Sequence, residues 1–243
     1  MEERPDLGDA ARSISPKVLP EFLHHDAAVN RWWGGLFDRF AGFQVAVCDD
    51  ANRVVAAGNS VPLFWDGRID GLPGGVGETI GRGVGDLEGG RAPTVSSALL
   101  ATVAPGSQGL GLSSVVLRAL KEVAGSRGLP ALIAPVRPTL KARYPLTPME
   151  NYVRWEREDG LPFDPWLRVH RRLGAEFLRV APRAMKVTAT IPEWEDWTGM
   201  RFPESGPYVV PGALNPIQMD LTQNLGFYEE PNVWMRHPIE AGR

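Results

Sequence analysis

The sequence predicts an α/β fold of the α+β kind: a mixed, mostly antiparallel twisted sheet with two central parallel strands, flanked by helices. Three features of the sequence predict this architecture. Two alternating strands in the first third of the chain are joined by a polar turn, which favours an antiparallel hairpin. Further along, a strand leads through a glycine-rich turn directly into an amphipathic helix. An almost wholly apolar strand follows that helix, and such a strand suits a parallel pair covered on both faces.

The composition is that of an ordinary globular protein. The chain has 243 residues, 43% of them hydrophobic and 23% charged, with a net charge of −3. Nucleic acid is not an expected partner, because phosphate backbones are bound by surfaces rich in Lys and Arg. The single cysteine, Cys48, cannot form an internal disulfide.

The acidic start lacks the pattern of a secretory signal, and no apolar stretch is long enough to cross a bilayer. We therefore expect a cytoplasmic protein with no membrane partner.

The chain is expected to form one domain with additions. Residues 1–16 are predicted to be a flexible N-terminal arm, and residues 17–237 the single domain. Two insertions are placed at about residues 67–92 and 139–163, and a Pro- and Gly-rich extension begins at about residue 202. The first insertion carries a helical apolar stripe interrupted by glycines, each of which costs a helix about 1 kcal/mol relative to Ala. It is interpreted either as a mobile lid or as an irregular surface insertion, and the second interpretation is favoured.

The segments before the glycine-rich turn change from helical to strand periodicity. Apolar residues between Val18 and Phe40 have helical spacing. The hairpin then pairs FQVAVCDD with RVVAAGNSVPLFW across a turn at residues 49–52. The next strand, TVSSALLATVAP, ends at Pro105, because proline cannot donate a hydrogen bond to a strand ladder.

The segments after that turn complete the sheet. A helix starts at Leu112, and the apolar strand LPALIAPV follows it. Asp164 caps a second helix, WLRVHRRLG. The strand MKVTATI alternates apolar and polar residues, so one of its faces should be buried. Two tail segments, residues 217–221 and 227–237, are predicted to add further strands.

The connection between the first parallel strand and its helix, residues 108–114 and called here the glycine turn, is the strongest candidate for a binding site. A strand that enters a helix in this way directs several unpaired backbone N–H groups at one point, and the helix dipole favours an anion there. Gly109 and Gly111 would let a phosphate approach the backbone closely, because they carry no Cβ. The same pattern also occurs in tight connections that bind nothing.

The residues around the glycine turn resemble the signature of the GCN5-related N-acetyltransferase superfamily, V-x-P-x-x-Q/R-G-x-G-I/L-G/A-x-x-x-L. The matching residues are Val103, Pro105, Gln108, Gly109, Gly111, Leu112 and Leu117. Ser113 stands where the family has Gly or Ala. The order of the predicted elements also agrees with the family, over about residues 18–200.

This resemblance implies a co-substrate and the residues that bind it. The two parallel strands, about residues 94–104 and 129–136, would splay apart and admit the pantetheine arm of acetyl-CoA or another acyl-CoA. A backbone N–H near Thr102 or Val103 would hold the thioester oxygen, where negative charge grows as an amine attacks. The pyrophosphate would lie against the glycine turn, whose residues are Gln108, Gly109, Leu110, Gly111, Leu112, Ser113 and Ser114.

A second similarity concerns the proton that the departing thiolate needs. The segment VHRRLGA resembles the family's L-Y-E-K-L-G-F, and His170 stands where the family has a tyrosine that commonly protonates the thiolate. A histidine, with an ordinary pKa near 6.5, could be this general acid, or it could simply pack on a basic helix.

The general base is not identified, because residues 95–103 contain no Asp or Glu. Glu150 and Asp164 are conceivable substitutes, but each is better explained as a helix cap or a surface charge.

Other constellations of polar residues carry less weight. Cationic and aromatic residues of the second insertion could receive the acceptor or the 3′-phosphate of the cofactor, or could form a solvated basic face. They are Arg137, Lys141, Arg143, Tyr144, Tyr152, Arg154 and Trp155.

No metal site is expected, because the adjacent His24 and His25 would diverge on a helix.

The sequence therefore predicts an acyl-CoA-dependent N-acyltransferase that transfers an acetyl group directly to the amine of a small molecule. A longer acyl donor stays open, as does a non-catalytic CoA-binding sensor or interaction module. A NADP-dependent oxidoreductase is a further alternative, since the glycine turn nearly satisfies the dinucleotide-binding fingerprint. It is disfavoured, because too few strand–helix units follow the turn. A homodimer stays open as the assembly.

Overall fold

The computed structural model of the protein describes residues 1–14 and 18–240. Its strands are β1 Gln44–Cys48, β2 Val54–Leu63, β3 Val95–Val103, β4 Ala131–Val136, β5 Glu176–Thr190, β6 Gly206–Tyr208, β7 Ile217–Asp220 and β8 Leu225–Pro238. Its α-helices are α1 Gly8–Arg12, α2 Ala27–Trp33, α3 Leu36–Arg39, α4 Val76–Glu88, α5 Leu112–Ser126, α6 Met149–Tyr152, α7 Pro165–Arg172 and α8 Ile191–Thr198. Within these residues, none of the helices has the length and apolar character needed to span a membrane.

The strands form one mixed sheet, as the sequence predicted. Their order is β1-β2-β3-β4-β8-β7-β6, and β5 also pairs with β8. Among the described strands, the central pair β3 and β4 alone is parallel, and the other pairings are antiparallel. The predicted fold class, a mostly antiparallel sheet with two central parallel strands, is confirmed.

The two parallel strands separate soon after they begin. β3 and β4 are paired only at Ser96 with Leu132 and at Ser97 with Ile133. At the next residues the ladder between β2 and β3 shifts register, so that Asn59 faces Leu100 while Ser60 faces Ala98. Such a bulge bends the strand that carries the extra residue. β4 meanwhile stays paired with β8 along its whole length, so a gap opens between β3 and β4.

Helices cover the two faces of the sheet. A Cβ added to Gly58 of β2 would meet Val116 and Leu120 of α5, whereas Val61 of the same strand lies against Gly83 of α4. Positions of opposite parity on a strand face opposite sides of a sheet. The helix that follows the glycine turn therefore lies on one face, and α4, with α2 packed on it, lies on the other.

The first insertion is a packed helix, in contrast to both interpretations drawn from the sequence. Val76, Ile80 and Val84 of α4 are buried, as their spacing predicted. The glycines that seemed to weaken this helix let it approach its neighbours. A Cβ on Gly77 would lie 2.7 Å from the Cβ of Ala28, and one on Gly83 would lie 2.4 Å from Val61. Tertiary packing therefore offsets the low helix propensity of glycine.

Residues 1–14 are folded against the sheet, whereas the sequence suggested a flexible arm. They form a 3₁₀ turn and α1, and Ala11 and Ile14 are buried beside Ala57 of β2. The amino group of Met1 donates to the carbonyl of Gln44 at 2.7 Å. Ala11 and Ile14 alone form too short an apolar pattern to predict this packing from the sequence. Residues 15 and 16 of the expected arm lie outside the described residues.

The C-terminal segment is part of the sheet. The two strands predicted in the tail are confirmed as β7 and β8. β8 lies between β4 and β5, so the end of the chain supplies a central strand. Trp194 of α8 and Tyr228 of β8 are fully buried in the core cluster that attaches this segment.

Candidate functional site

A cavity of about 520 Å³ lies in the gap between β3 and β4. One end is lined by the glycine turn and by α5 and α7, which lie on the same face. The other end is lined by α2 and by the 3₁₀ turn that precedes it, on the face covered by α4. The cavity therefore connects the two faces of the sheet through the gap.

The glycine turn has the geometry of an anion site. Gly109 and Gly111 adopt left-handed backbone conformations, with φ of 81° and 74°, which glycine reaches at little cost. Gly111 is also the N-cap of the 15-residue helix α5, and none of the described side chains caps that end. In the part of the chain that the structure describes, the backbone N–H groups of residues 109–113 have no protein acceptor. Such a series of N–H groups at a helix N-terminus attracts a phosphate.

The structure brings most of the predicted site residues to this cavity. Those that line it are Thr102, Val103, Gln108, Gly109, Gly111, Leu112, Ser113 and His170. Leu110 and Ser114 are not part of the lining. The Leu110 side chain is exposed, and the Ser114 N–H donates to the carbonyl of Gly111 at 3.0 Å. The amide donors of the turn therefore end at Ser113.

The backbone of β3 presents N–H groups to the gap. The N–H of Ala104 donates to Val55 of the neighbouring β2 at 2.9 Å. Because the direction of N–H groups alternates along an antiparallel strand, the Thr102 N–H also faces β2. The N–H groups of Val103 and Ala101 face the gap. Of the two donors expected from the sequence, the geometry favours Val103 and assigns the Thr102 N–H to the β2 ladder.

His170 lines the cavity, but its ionisation differs from the sequence-based expectation. The ring is 1% exposed, and its Nδ1 lies 2.9 Å from Nε2 of His237 on β8. Burial, and then the proximity of His237, lower the pKa of His170 to about 3. Burial, and then the charge of Lys121, lower the pKa of His237 to about 4. Both rings are therefore uncharged at neutral pH, so His170 can form a hydrogen bond but is a poor proton donor to a thiolate.

This pair of buried histidines should make the protein sensitive to acid. A histidine whose folded pKa is depressed binds its proton more readily when unfolded, so stability is retained above about pH 6.5 and lost as the pH falls towards about 4. Between about pH 6.5 and 5 the loss is roughly 2 kcal/mol for one such histidine. Urea unfolding measured across this range should give a flatter profile for the His170→Gln/His237→Gln double variant. The His25→Gln variant, at a partly exposed histidine, should retain the wild-type slope, and equal slopes for all three proteins would contradict this origin.

Two further polar residues come from β8, one that lines the cavity and one that holds a lining residue, and the sequence analysis missed both. Asn232 is 2% exposed, donates from Nδ2 to the carbonyl of Pro135 at 3.3 Å, and lines the cavity. Glu230 is fully buried and accepts from Nε of Arg137, itself a lining residue, at 2.9 Å. They were missed because the tail was treated as an addition, whereas β8 is the direct neighbour of β4.

The second insertion is chiefly structural. Lys141 is buried, and its Nζ donates to the carbonyls of Tyr144 and Leu214 at 2.9 and 2.6 Å. Burial lowers the pKa of Lys141 to about 8. The hydroxyl of Tyr152 donates to Asp164, which also caps α7. Of the cationic and aromatic residues proposed there for an acceptor or a 3′-phosphate, Arg137 alone belongs to the described lining of the cavity.

Comparisons with known proteins give one curated relative and several similar structures. No protein-family model matches the chain. The arginine N-acetyltransferase avaD of Aspergillus versicolor is 35% identical over 268 residues, which cover 97% of this chain and 91% of the relative. The solved GphF GNAT-like decarboxylase in complex with isobutyryl-CoA has a TM-score of 0.58 at 16% identity, over 98% of this chain and 97% of that one. The loading GNATL domain of CurA from Lyngbya majuscula has a TM-score of 0.55 at 16% identity, over 90% and 89%. At these identities the two structures show a shared fold.

Proposed function

The chain belongs to the GCN5-related N-acetyltransferase superfamily, whose members take the acyl group from a coenzyme A thioester, and on this premise we propose that it acetylates the amine of a small molecule. The observation that carries the proposal is the cavity through the gap between β3 and β4. The cavity joins an anion site on one face of the sheet to a separate space on the other. A thioester entering from the first side and an amine entering from the second would meet in the gap.

The glycine turn would hold the pyrophosphate of acetyl-CoA. Its free N–H groups run from Gly109 to Ser113, at the positive end of the α5 dipole. The pantetheine arm would then follow the gap along β3, with the thioester oxygen at the N–H of Val103 or Ala101. A donor fixed at that point stabilises the oxyanion that forms during attack, and loss of one such donor commonly costs about 2.7 to 4 kcal/mol.

His170 would act as an uncharged hydrogen-bonding group near the sulfur. Its Nε2 is buried and has no partner among the described residues, while its Nδ1 faces His237. A neutral imidazole can polarise a reacting group through a hydrogen bond, as the histidine of triosephosphate isomerase does. This role differs from the proton donation suggested by the sequence, because the lowered pKa of His170 leaves little protonated imidazole at working pH.

Arginine is the first acceptor to test, because the curated relative is named for it. A second cavity of about 410 Å³ supports an acceptor that carries a carboxylate. It shares Met185 with the first cavity and is bordered by three cationic residues, Arg179, Arg183 and Lys186. Within residues 1–14 and 18–240, none of the three has a carboxylate within 4.0 Å.

The acidic residues of this second cavity are already engaged. Asp26 accepts from the N–H groups of Ala28, Val29 and Lys186. Glu78 pairs with Arg82 and accepts from the N–H of Gly74. The Nε of Arg179 is buried, and no partner for it is found in the described chain. Nη2 of Arg179 donates to the carbonyl of Leu72 at 3.2 Å, so this guanidinium is held in place without a charged partner in the described chain. The three cations would therefore attract a carboxylate from outside, and a guanidinium suits that ligand because it can bind both oxygens.

The acceptor is tested by incubating the protein with acetyl-CoA and a panel of amines and identifying the products by mass spectrometry. We expect N-acetylarginine, with a lower KM for arginine than for agmatine, which is arginine without its carboxylate. Arg179→Gln should raise the KM for arginine by about 10-fold or more, since a hydrogen bond to a charged group contributes roughly 1.5 to 3 kcal/mol. It should change the KM for agmatine little.

Arg172→Gln, at the exposed end of α7, is the matched control and should behave as wild type. Equal KM values of the wild type for arginine and agmatine would contradict the carboxylate site. Tight CoA binding with no acetylated amine in any reaction would instead favour the non-catalytic sensor. Tight binding of NADPH without binding of CoA would favour the oxidoreductase.

A further inference from the structure

The proposed transfer needs a group that removes a proton from the acceptor. An amine enters at neutral pH chiefly as an ammonium ion, which has no lone pair and cannot attack a thioester. The described residues that line the cavity include no Asp or Glu. The ionisable side chains among them are those of His24, Arg137 and His170. Arginine remains protonated in proteins, so the choice is between the two histidines.

His170 lies on the wrong side of the gap for this task. α7 packs in the same core cluster as α5, on the face where the glycine turn would receive the cofactor. Its Nδ1 is also committed to His237. His24 belongs to the opposite end of the cavity, beside Val29 and Trp33 of α2. That end is the one left for the acceptor when CoA occupies the first.

The backbone around His24 is firmly held. The residue lies in a 3₁₀ turn, Glu21–His25, whose Phe22 and Leu23 are buried in the core. The side chain of Asn30 donates to the carbonyl of His24 at 2.7 Å. The imidazole therefore comes from a fixed point, as a catalytic group requires.

One nitrogen of His24 has no partner. Its Nε2 is shielded from solvent and makes no hydrogen bond with the residues that the structure describes. Leaving a buried polar atom unsatisfied costs about 1 to 3 kcal/mol, so such atoms in native proteins usually have a role or a missing ligand. Here the side chain borders the cavity in which an acceptor amine would lie.

We propose that His24 is the general base of this acetyltransferase, an inference that rests on the proposed function. Nε2 of His24 takes one proton from the acceptor ammonium. The freed lone pair forms the C–N bond with the thioester carbonyl carbon, and the C–S bond breaks with its electrons going to sulfur. The second proton lost by the nitrogen ends on the sulfur. The products are the amide and CoA with a free thiol, and His24 passes its proton to water that enters the cavity after the products leave.

The adjacent histidine provides a matched control. His25 stacks on the ring of Trp197 with centroids 3.9 Å apart, and its Nε2 lies 3.1 Å from the carboxylate of Glu21. It is not among the residues that line the cavity. Two neighbouring histidines on one turn thus differ in whether they reach the site.

The test compares His24→Ala and His25→Ala in the full chain, with acetyl-CoA and the best acceptor of the amine panel. For His24→Ala we expect kcat to fall by about 10² to 10⁴, the usual contribution of a general base, with CoA affinity unchanged. Free imidazole in the assay should restore part of the lost rate to this variant. The His25→Ala variant should keep kcat within a few-fold of wild type and gain nothing from imidazole.

A second acceptor keeps the test informative if His24→Ala is less stable than wild type. An amine that is already neutral at the assay pH has no proton to remove before attack, so the variant should lose much less rate with it. A kcat near wild type for His24→Ala, or an equal loss with both kinds of acceptor and no rescue by imidazole, would overturn the role of His24 and leave the transferase assignment intact. Absence of acetylated product from the wild-type protein would overturn the proposed function itself, and this role with it.

Discussion

Replacing Gly111 by aspartate should weaken coenzyme A binding by about 100-fold or more while the protein stays folded. The new carboxylate would lie at the N-terminus of α5, beside the N–H groups of Leu112 and Ser113 that the pyrophosphate needs. Placing like charges together costs several kcal/mol. Aspartate tolerates the left-handed conformation of this position better than most residues, and no atom of residues 1–14 and 18–240 outside its chain neighbours and the backbone of its own helix lies within 4 Å of the new Cβ. Calorimetric titration with CoA measures the change.

Two variants separate charge from backbone strain in this experiment. Gly111→Asn has nearly the same shape without the charge, and should bind CoA much more tightly than the aspartate variant. Gly128→Asp places the same carboxylate at another left-handed glycine, with φ of 73°, beyond the opposite end of α5. It should leave CoA affinity close to wild type. Equal affinities of Gly111→Asp and Gly111→Asn would mean that the pyrophosphate does not lie at this turn.

Replacing Glu230 by alanine should lower the free energy of unfolding by about 3 to 5 kcal/mol, the usual effect of breaking a buried ion pair. Glu230 is fully buried, and its two oxygens accept from Arg137 Nε and from the Tyr228 hydroxyl, each at 2.9 Å. Its removal would leave a largely buried guanidinium whose remaining partner in the described part of the chain is the carbonyl of Gly212. The midpoint of urea unfolding should fall with little change in slope.

The neighbouring Glu229 supplies the control. Its side chain is exposed, and Glu229→Ala should change stability by no more than about 0.5 kcal/mol. The double variant Glu230→Leu/Arg137→Met removes both charges and should be more stable than Glu230→Ala, because no unpaired charge then stays buried. A Glu230→Ala midpoint equal to that of Glu229→Ala would show that the pair contributes little. The Arg137 and Glu230 charges would then have to be solvated in the native protein.

The sequence was most informative where a structure depends on neighbouring residues. The hairpin β1–β2 and the strand–turn–helix unit at Gly109 and Gly111 follow from local periodicity and from the special conformations open to glycine. Asp164 was correctly identified as the cap of α7, because capping is a contact between residues two or three apart. The resemblance to the acetyltransferase signature lies in the same short segment.

The sequence analysis did not predict that the glycine-rich α4 is a packed helix, because its stability depends on contacts that helix propensity does not describe. Its propensity is low, yet Gly77 and Gly83 permit contact distances with Ala28 and Val61 that no other residue would allow. The energy that holds the helix comes from partners far away in sequence. The same holds for residues 1–14, where Ala11 and Ile14 gain their burial from β2.

The sequence by itself determined the β1–β2 hairpin, the strand–turn–helix unit at the glycine turn, the apolar strand that follows it and the kind of anion that such a turn can bind. Only the tertiary structure decided that the last strand lies beside β4, and so brings Glu230, Asn232 and His237 to the centre of the protein. It also buries His170, which lowers the pKa of that ring, and it places His24 but not His25 among the described residues that line the cavity. Periodicity and capping act between residues a few positions apart, whereas burial, pKa and access to a cavity depend on what the folded chain brings together.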